Sequence, residues 1–418
     1  MWKWLRLQHK KKLDTVSPSL CLAKWTQSNI YLGSGMTHSC HHPGPHYIPV
    51  NEIKIDVSAL HNTNYKKQQR QLMLDGIRPN ECDYCWRVED AGTSLSDRIT
   101  KSFTSWSRPF FKEIVTQGAN GANPKYLEIS FDNVCNLKCS YCGPTNSSTW
   151  ANEIDQYGAW PNDPANHYRQ TAIIPNREYN PYIDAFWKWW PELYTSLHTF
   201  RITGGEPLLS KNTYRVLDYI ISNPNPKLEF SINSNLMVDL DKFIEKVKQL
   251  KVKKLTIHTS CEAHGAAAEY ARNGLHYDTW LNNCNRILTE IPNARLDIMA
   301  AYNAFSVTTY EAFLKDINTL KKRRWFSRVS LSTNYLRNPS FLSIWVLPKS
   351  YSNYISRQLD YMKAHRFTAN EINAVKRILD IFVSTPQTDA TEFLKFVSEH
   401  DSRRNTSFIK TFPEMSNL

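Results

Sequence analysis

Three cysteines fall within eight residues in Cys135-Asn-Leu-Lys-Cys139-Ser-Tyr-Cys142. Thiolates at that density can hold three corners of a cubane [4Fe–4S] cluster and leave the fourth iron open to a ligand that is not protein. The competing chemistry is a structural zinc site, which needs a fourth Cys or His; the closest downstream histidine is His167. Cys21, Cys40, Cys82 and Cys85 precede this cluster, and Cys261 and Cys284 stand alone. With no secretory signal, these thiols are expected reduced, in the cytoplasm, so their spacing reports metal binding rather than disulfides.

A loop carrying such ligands must be set at the end of a strand, and the pattern around it supplies one. Tyr126–Phe131 alternates apolar and polar residues, as do Leu197–Thr203, Leu228–Asn233, Lys254–Thr259, Ala294–Ala300 and Arg328–Ser332. Between them lie helical spacings: Tyr214, Leu217 and Ile221 after Ser210, then Phe243, Val247 and Leu250 after Asp241. Strand–helix repetition predicts parallel α/β, as an open sheet or a barrel. The turn cluster Gly118–Pro124 marks the best boundary ahead of it. Three regions are expected: a loop-rich, metal-organised module over 1–118 with one helical segment near Tyr65–Leu74, an α/β core over 119–345, and a helical extension over 346–418. In the extension, Thr368-Ala-Asn-Glu371 and Asp389-Ala-Thr-Glu392 have the residue types of capping boxes. The long connection from Gly143 to Ser196 carries Trp150, Trp160, Phe186, Trp187, Trp189 and Trp190, rings expected to pack into a core, with prolines at 161, 164, 175, 181 and 191.

Composition is that of a folded protein: 418 residues, 41% hydrophobic and 22% charged, enough for two to three domains. The longest apolar run, Phe341–Leu347, is far short of the roughly 20 residues a membrane-spanning helix needs. The basic start, Met1 to Lys12, lacks the apolar stretch of a secretion signal. A net charge of +12 favours contact with nucleic acid, but basic clusters such as Lys10–Lys12 and Lys321–Arg324 read first as solvated faces. Glycine is scarce at 13 residues, which makes the pair Gly204-Gly205 worth attention.

The three-then-two spacing of the cysteines, with Tyr141 before the last, resembles the cluster loop of radical S-adenosylmethionine (SAM) enzymes. Thr203-Gly204-Gly205-Glu206-Pro207, closing the second strand, is similar to that family's Gly-Gly-Glu motif, which engages the methionine amino group of SAM. Glycines let a ligand approach the backbone, and a carboxylate accepts from an ammonium. The resemblance further implies that Asn233 and Ser234 meet the SAM carboxylate or ribose. It likewise implies that Ser260 and Glu262 stand at the family's ribose-binding position and that Arg272 grips the carboxylate with its planar fork. It implies a partial (β/α)6 barrel over roughly 125–345, in which one electron cleaves SAM to methionine and a 5′-deoxyadenosyl radical that takes hydrogen from substrate.

Ahead of the barrel, Cys21 is followed after thirteen residues by Gly35 and after four more by Cys40, with Cys82-Asp-Tyr-Cys85 later. This resembles the opening of twitch and SPASM domains, which hold an auxiliary [4Fe–4S] cluster, although in known members that module follows the barrel. The competing reading is zinc, with His38, His41, His42 and His46 beside Cys40. The resemblance implies a peptide or protein substrate and a reductant such as flavodoxin or ferredoxin. The alternatives are a nucleotide, nucleoside or RNA substrate and, from another class, a non-catalytic zinc-organised nucleic-acid-binding protein.

Overall fold

The alternating segments form strands because every second side chain can be buried against helices. In Ala294–Tyr302, Leu296, Ile298, Ala300 and Tyr302 are buried, whereas Asp297 and Met299 between them are partly exposed. The structure is a computed structural model and describes residues 2–92, 95–121, 123–161, 163, 167–168, 172–321 and 327–418. Residues 322–324 of the basic run after Lys321, Ala122 of the turn cluster and Pro164 lie outside the described residues.

In chain order the strands are β1 (Gln27–Tyr31), β2 (Met36–His38), β3 (His46–Tyr47), β4 (Tyr126–Ser130), β5 (Lys138–Cys139), β6 (Thr199–Thr203), β7 (Asn225–Asn233), β8 (Val252–Ser260), β9 (Arg272–Asn273), β10 (Ala294–Tyr302) and β11 (Val329–Tyr335). The six expected strands are β4, β6, β7, β8, β10 and β11, with ends within three residues of expectation.

The chain divides into two compact units. The first takes the chain up to Asp132 together with Ile173–Gly204 and Asn225–Phe230. Here β4 pairs in parallel with β6 on one side and with β1 on the other, and β1, β2 and β3 continue antiparallel. The second unit holds Asn133–Ala172, Gly205–Pro224 and Ser231–Leu418. In it β8, β10 and β11 run parallel, and Ser234 N donates to His258 O at 2.8 Å where β7 ends beside β8. Within each unit the core strands neighbour one another in chain order. That is the one-directional winding of a barrel, not the reversing order of a doubly wound sheet.

The first 118 residues are more helical than expected. They carry the helix Asn64–Leu74 where a helical segment near Tyr65–Leu74 was expected, and also Trp2–Asp14, Asp83–Asp90, Asp97–Ser102 and Phe111–Gln117 as helices, besides the three strands that extend the sheet. Apart from Trp2–Asp14 the additional helices are short, six to eight residues each, so they show little apolar period. The aromatic connection contains the helices Ser148–Tyr157 and Pro181–Ser196, and Trp150, Trp160, Phe186, Trp189 and Trp190 are buried as expected. The tail is helical over Ser352–Ala364, Ala369–Ser384, Thr391–Arg404 and Phe408–Thr411. Thr368 and Glu371 form the expected capping box, but Asp389 and Glu392 do not. Asp389 accepts from Thr391 N at 3.1 Å and closes a local turn, leaving Ala390 at the helix start. Among the described residues no helix is long and apolar enough to cross a membrane.

Candidate functional site

The cysteine loop is pinned from both sides. Cys139 lies in β5, which pairs antiparallel with β9 so that Cys139 stands opposite Arg272. Ser140 N donates to Ala271 O at 2.8 Å, and Cys142 N donates to Cys139 O at 2.9 Å, closing the turn that brings the second and third cysteines together. Beneath the loop, Trp150 Nε1 donates to Cys139 O at 2.9 Å and Tyr168 OH to Ser140 O at 2.6 Å. Arg404, from the tail, donates to Lys138 O at 2.9 Å, pairs with the buried Glu153 and lies over the Trp150 ring. Through Arg404 the helical extension braces this loop.

Tyr141, Glu262 and Arg272 meet as one buried network on Cys139. Arg272 donates through Nε and Nη2 to the Glu262 carboxylate, the shortest contact being 2.7 Å, while its Nη1 faces Cys139 Sγ at 3.6 Å. Tyr141 OH donates to both Glu262 oxygens at 2.9 Å, and the guanidinium lies 5.3 Å from the Tyr141 ring centre. Burial pushes the Tyr141 hydroxyl well above its ordinary range, so it stays a donor. Burial also raises the thiols: Cys135 and Cys142 are pushed up to about 12, and Cys139 upward despite the neighbouring Arg272.

The two glycines have a steric cause. Gly204 has φ +127, and a Cβ there would lie 2.7 Å from Ser130 Oγ and 2.9 Å from Asp132 O. A Cβ on Gly205 would collide with the carbonyl oxygens of Asn133 and Val134, the residues leading into Cys135. Glu206 N donates to Val134 O at 2.6 Å. The Glu206 side chain is 1% exposed and accepts from Asn235 N at 2.6 Å and Leu208 N at 3.0 Å, with Ser234 also hydrogen-bonded to it. Burial raises its carboxyl to about 7.

Of the expected SAM-binding residues, the structure thus joins Tyr141, Glu262 and Arg272 around Cys139, and Ser234 with Glu206. Asn233 and Ser260 stand at the ends of β7 and β8, each half-buried. Two amides also join the site: Asn235, at the end of the polar segment Ser231–Asn235 that the resemblance places near SAM, and Asn136, which the sequence analysis did not single out. Asn235 Nδ2 donates to Asn136 Oδ1 at 2.8 Å and lies 4.0 Å from Cys135 Sγ. Asn136 in turn donates to Met237 O at 2.7 Å. The only signal for Asn136 was an amide adjacent to a motif.

The donor set suits a cubane with three protein ligands. His167, the nearest candidate for a fourth, has Nε2 hydrogen-bonded with Tyr141 O at 3.0 Å and Nδ1 with Asn338 Nδ2 at 3.2 Å, so both ring nitrogens are engaged. Among the described residues no three His, Cys, Asp or Glu side chains stand at the close spacing of a single metal ion.

In the first unit, Cys21, Cys40, Cys82 and Cys85 line one cavity. Cys21 precedes the helical turn Ala23–Thr26, Cys40 follows β2, and Cys82 and Cys85 stand at the start of the helix Asp83–Asp90. Gly35, at φ +64 in the β1–β2 turn, is required because any Cβ would run into the Tyr182 ring. Of the nearby histidines, His38 is held between Cys40 O and Tyr31 OH, and His46 Nε2 pairs with Thr63 Oγ1 at 3.0 Å. His42 lines the cavity and pairs with Asp97 at 2.8 Å. All nine cysteines are free thiols.

No protein-family model matches the chain, and a search of curated proteins found no match. Among solved structures, Streptococcus suis SuiB bound to S-adenosylmethionine is similar at 11% identity and a TM-score of 0.40, covering 82% of this chain and 71% of that one. SuiB bound to the precursor peptide SuiA is similar at 11% identity and a TM-score of 0.38, covering 82% and 70%. TYW1 with a lysine-pyruvate adduct is similar at 12% identity and a TM-score of 0.28, covering 55% and 70%. Likenesses at this level assign neither substrate nor activity.

Proposed function

We propose that the chain is a radical SAM enzyme, with a core over 119–345, an auxiliary module over 1–118 and a bracing extension over 346–418. The observation that carries the reading is the arrangement at Cys139: the three-cysteine loop is locked by β5 and β9 to Arg272, whose Nη1 faces the sulfur at 3.6 Å. Cys135, Cys139 and Cys142 would hold the [4Fe–4S] cluster. Once bound with SAM, the cluster supplies reductive cleavage of the sulfonium and the hydrogen abstraction that follows.

The chain's own part is positioning. Glu262 takes Nε and Nη2 of Arg272, so the two-pronged grip expected of this fork is spent within the chain, and Nη1, which faces Cys139 Sγ, is the edge left to reach the SAM carboxylate. Tyr141 and Glu262 fix that fork without lending it to solvent. Glu206, with both oxygens held by backbone N–H groups, fixes the Gly204-Gly205 turn whose exposed backbone receives the methionine ammonium. Asn233, Ser234 and Ser260, at strand ends, and Glu262 beside them form the polar rim for ribose and carboxylate. In the first unit, Cys21, Cys40, Cys82 and Cys85 would hold an auxiliary [4Fe–4S] cluster.

The substrate class proposed is a peptide or protein, on the resemblance to family members that carry auxiliary clusters, with flavodoxin or ferredoxin as the reductant class, in the cytoplasm. A nucleotide or RNA substrate is the second reading, favoured by the net charge of +12. Anaerobically reconstituted protein treated with dithionite and SAM should form 5′-deoxyadenosine. Replacing Cys135, Cys139 and Cys142 with Ala should abolish it; formation that persists in that variant overturns the assignment.

A further inference from the structure

The cavity lined by Cys21, Cys40, Cys82 and Cys85 is also lined by Ser39 and Lys101. Among the described residues, neither Ser39 Oγ nor Lys101 Nζ has a hydrogen-bond partner, although both atoms are buried. Ser39 is 2% exposed. The carboxylate paired with Lys101, on Asp97, stands 3.8 Å away and is already hydrogen-bonded by His42 and Thr100. A buried donor without an acceptor is costly, and native structures leave few of them. Two such donors on one cavity, whose lining includes four cysteines, point to an acceptor that belongs there.

The charges agree. Lys24, 3% exposed, lines the same cavity and directs Nζ to Cys82 Sγ at 3.7 Å while paired with Glu81. Arg98, 1% exposed, lines it too and pairs with Glu89 at 2.8 Å. Glu81 and Glu89 balance Lys24 and Arg98, but Lys101 has only the Asp97 carboxylate at 3.8 Å, which His42 and Thr100 already engage; thiolates on an iron–sulfur core are anionic and would supply the acceptor it lacks.

We propose that Ser39 Oγ and Lys101 Nζ donate hydrogen bonds to sulfur atoms of the centre held by Cys21, Cys40, Cys82 and Cys85, and thereby raise its reduction potential. This rests on the reading of that cavity as an iron–sulfur site. Donors to sulfur stabilise the reduced, more negative core over the oxidised one, so removing a donor makes reduction harder. The two residues are positioning groups that tune an electron carrier.

The test uses the full chain with Cys135, Cys139 and Cys142 replaced by Ala, so that a single centre reports. Anaerobic reconstitution should give about four irons per chain; zinc or no iron overturns both the reading and this inference. With iron bound, electron–nuclear double resonance after exchange into deuterated water should show exchangeable deuterons coupled to the reduced cluster. Adding Ser39→Ala or Lys101→Met should each remove one coupling. Each should also make the cluster at least about tenfold harder to reduce, roughly 59 mV for one electron, whereas Lys101→Arg keeps the parent value. Four irons without deuteron couplings in the parent, or unchanged potentials in both variants, leaves the site reading standing and overturns the inference.

Discussion

Arg272 and Glu262 show how a residue can be essential to a site without facing open solvent. Both are buried and joined at 2.7 Å, so breaking the pair leaves an uncompensated charge. Arg272→Met should destabilise the protein by about 3–5 kcal/mol in urea unfolding, and the double variant with Glu262→Gln by less than the sum of the two singles; additive effects would contradict the coupling. Glu206 gives a pH signature. Burial raises it from 4.5 to about 7, so the folded chain keeps a proton that the unfolded chain releases. Its contribution is then full below pH 4.5 and lost as pH rises through about 7. Urea titrations of metal-free protein should show this decline, and Glu206→Gln should flatten it; an unchanged slope contradicts the assignment. The cysteines and the Gly-Gly-Glu turn were legible in the sequence because their spacing is local. The closure of Tyr141 on Glu262, 121 positions away, was not, since it depends on how β5 meets β9.

At the scale of elements, the six core strands were legible because period-two alternation survives wherever one face is buried, as in β10. Of the helices in the first 118 residues only Asn64–Leu74 was legible; most of the others are short and held by tertiary contacts more than by their own pattern. In Asp97–Ser102, Arg98 is buried through its pair with Glu89 rather than through an apolar stripe. Asp389 shows the limit of a four-residue motif: the right residue types closed a turn instead of a cap. The helix Thr391–Arg404 also does more than pack, since Arg404 holds the Lys138 carbonyl and Glu153 beside the cysteine loop. Arg404→Met should speed amide hydrogen exchange at Ser140 and Cys142 by roughly tenfold or more, with Thr37 and His38 in the first unit unaffected. Exchange unchanged at the loop would show that the tail does not brace it.

On the scale of the whole molecule, each of the two units carries its own set of clustered cysteines: Cys21, Cys40, Cys82 and Cys85 in the first, and Cys135, Cys139 and Cys142 in the second, which also holds the solitary Cys261 and Cys284. Two cubanes predict about eight irons and eight sulfides per chain, falling to about four of each when Cys135, Cys139 and Cys142 are replaced. Zinc in place of iron at both sets, with salt-dependent retention on nucleic acid, would instead favour a non-catalytic binding protein. The central claim concerns the iron that Cys135, Cys139 and Cys142 leave open. It is tested most directly by electron paramagnetic resonance of the dithionite-reduced, air-protected protein whose Cys21, Cys40, Cys82 and Cys85 are replaced by Ala, before and after adding SAM. A cubane signal that shifts on SAM addition is the expected result; a cubane signal indifferent to SAM, or none at all from protein that remains folded, contradicts the account.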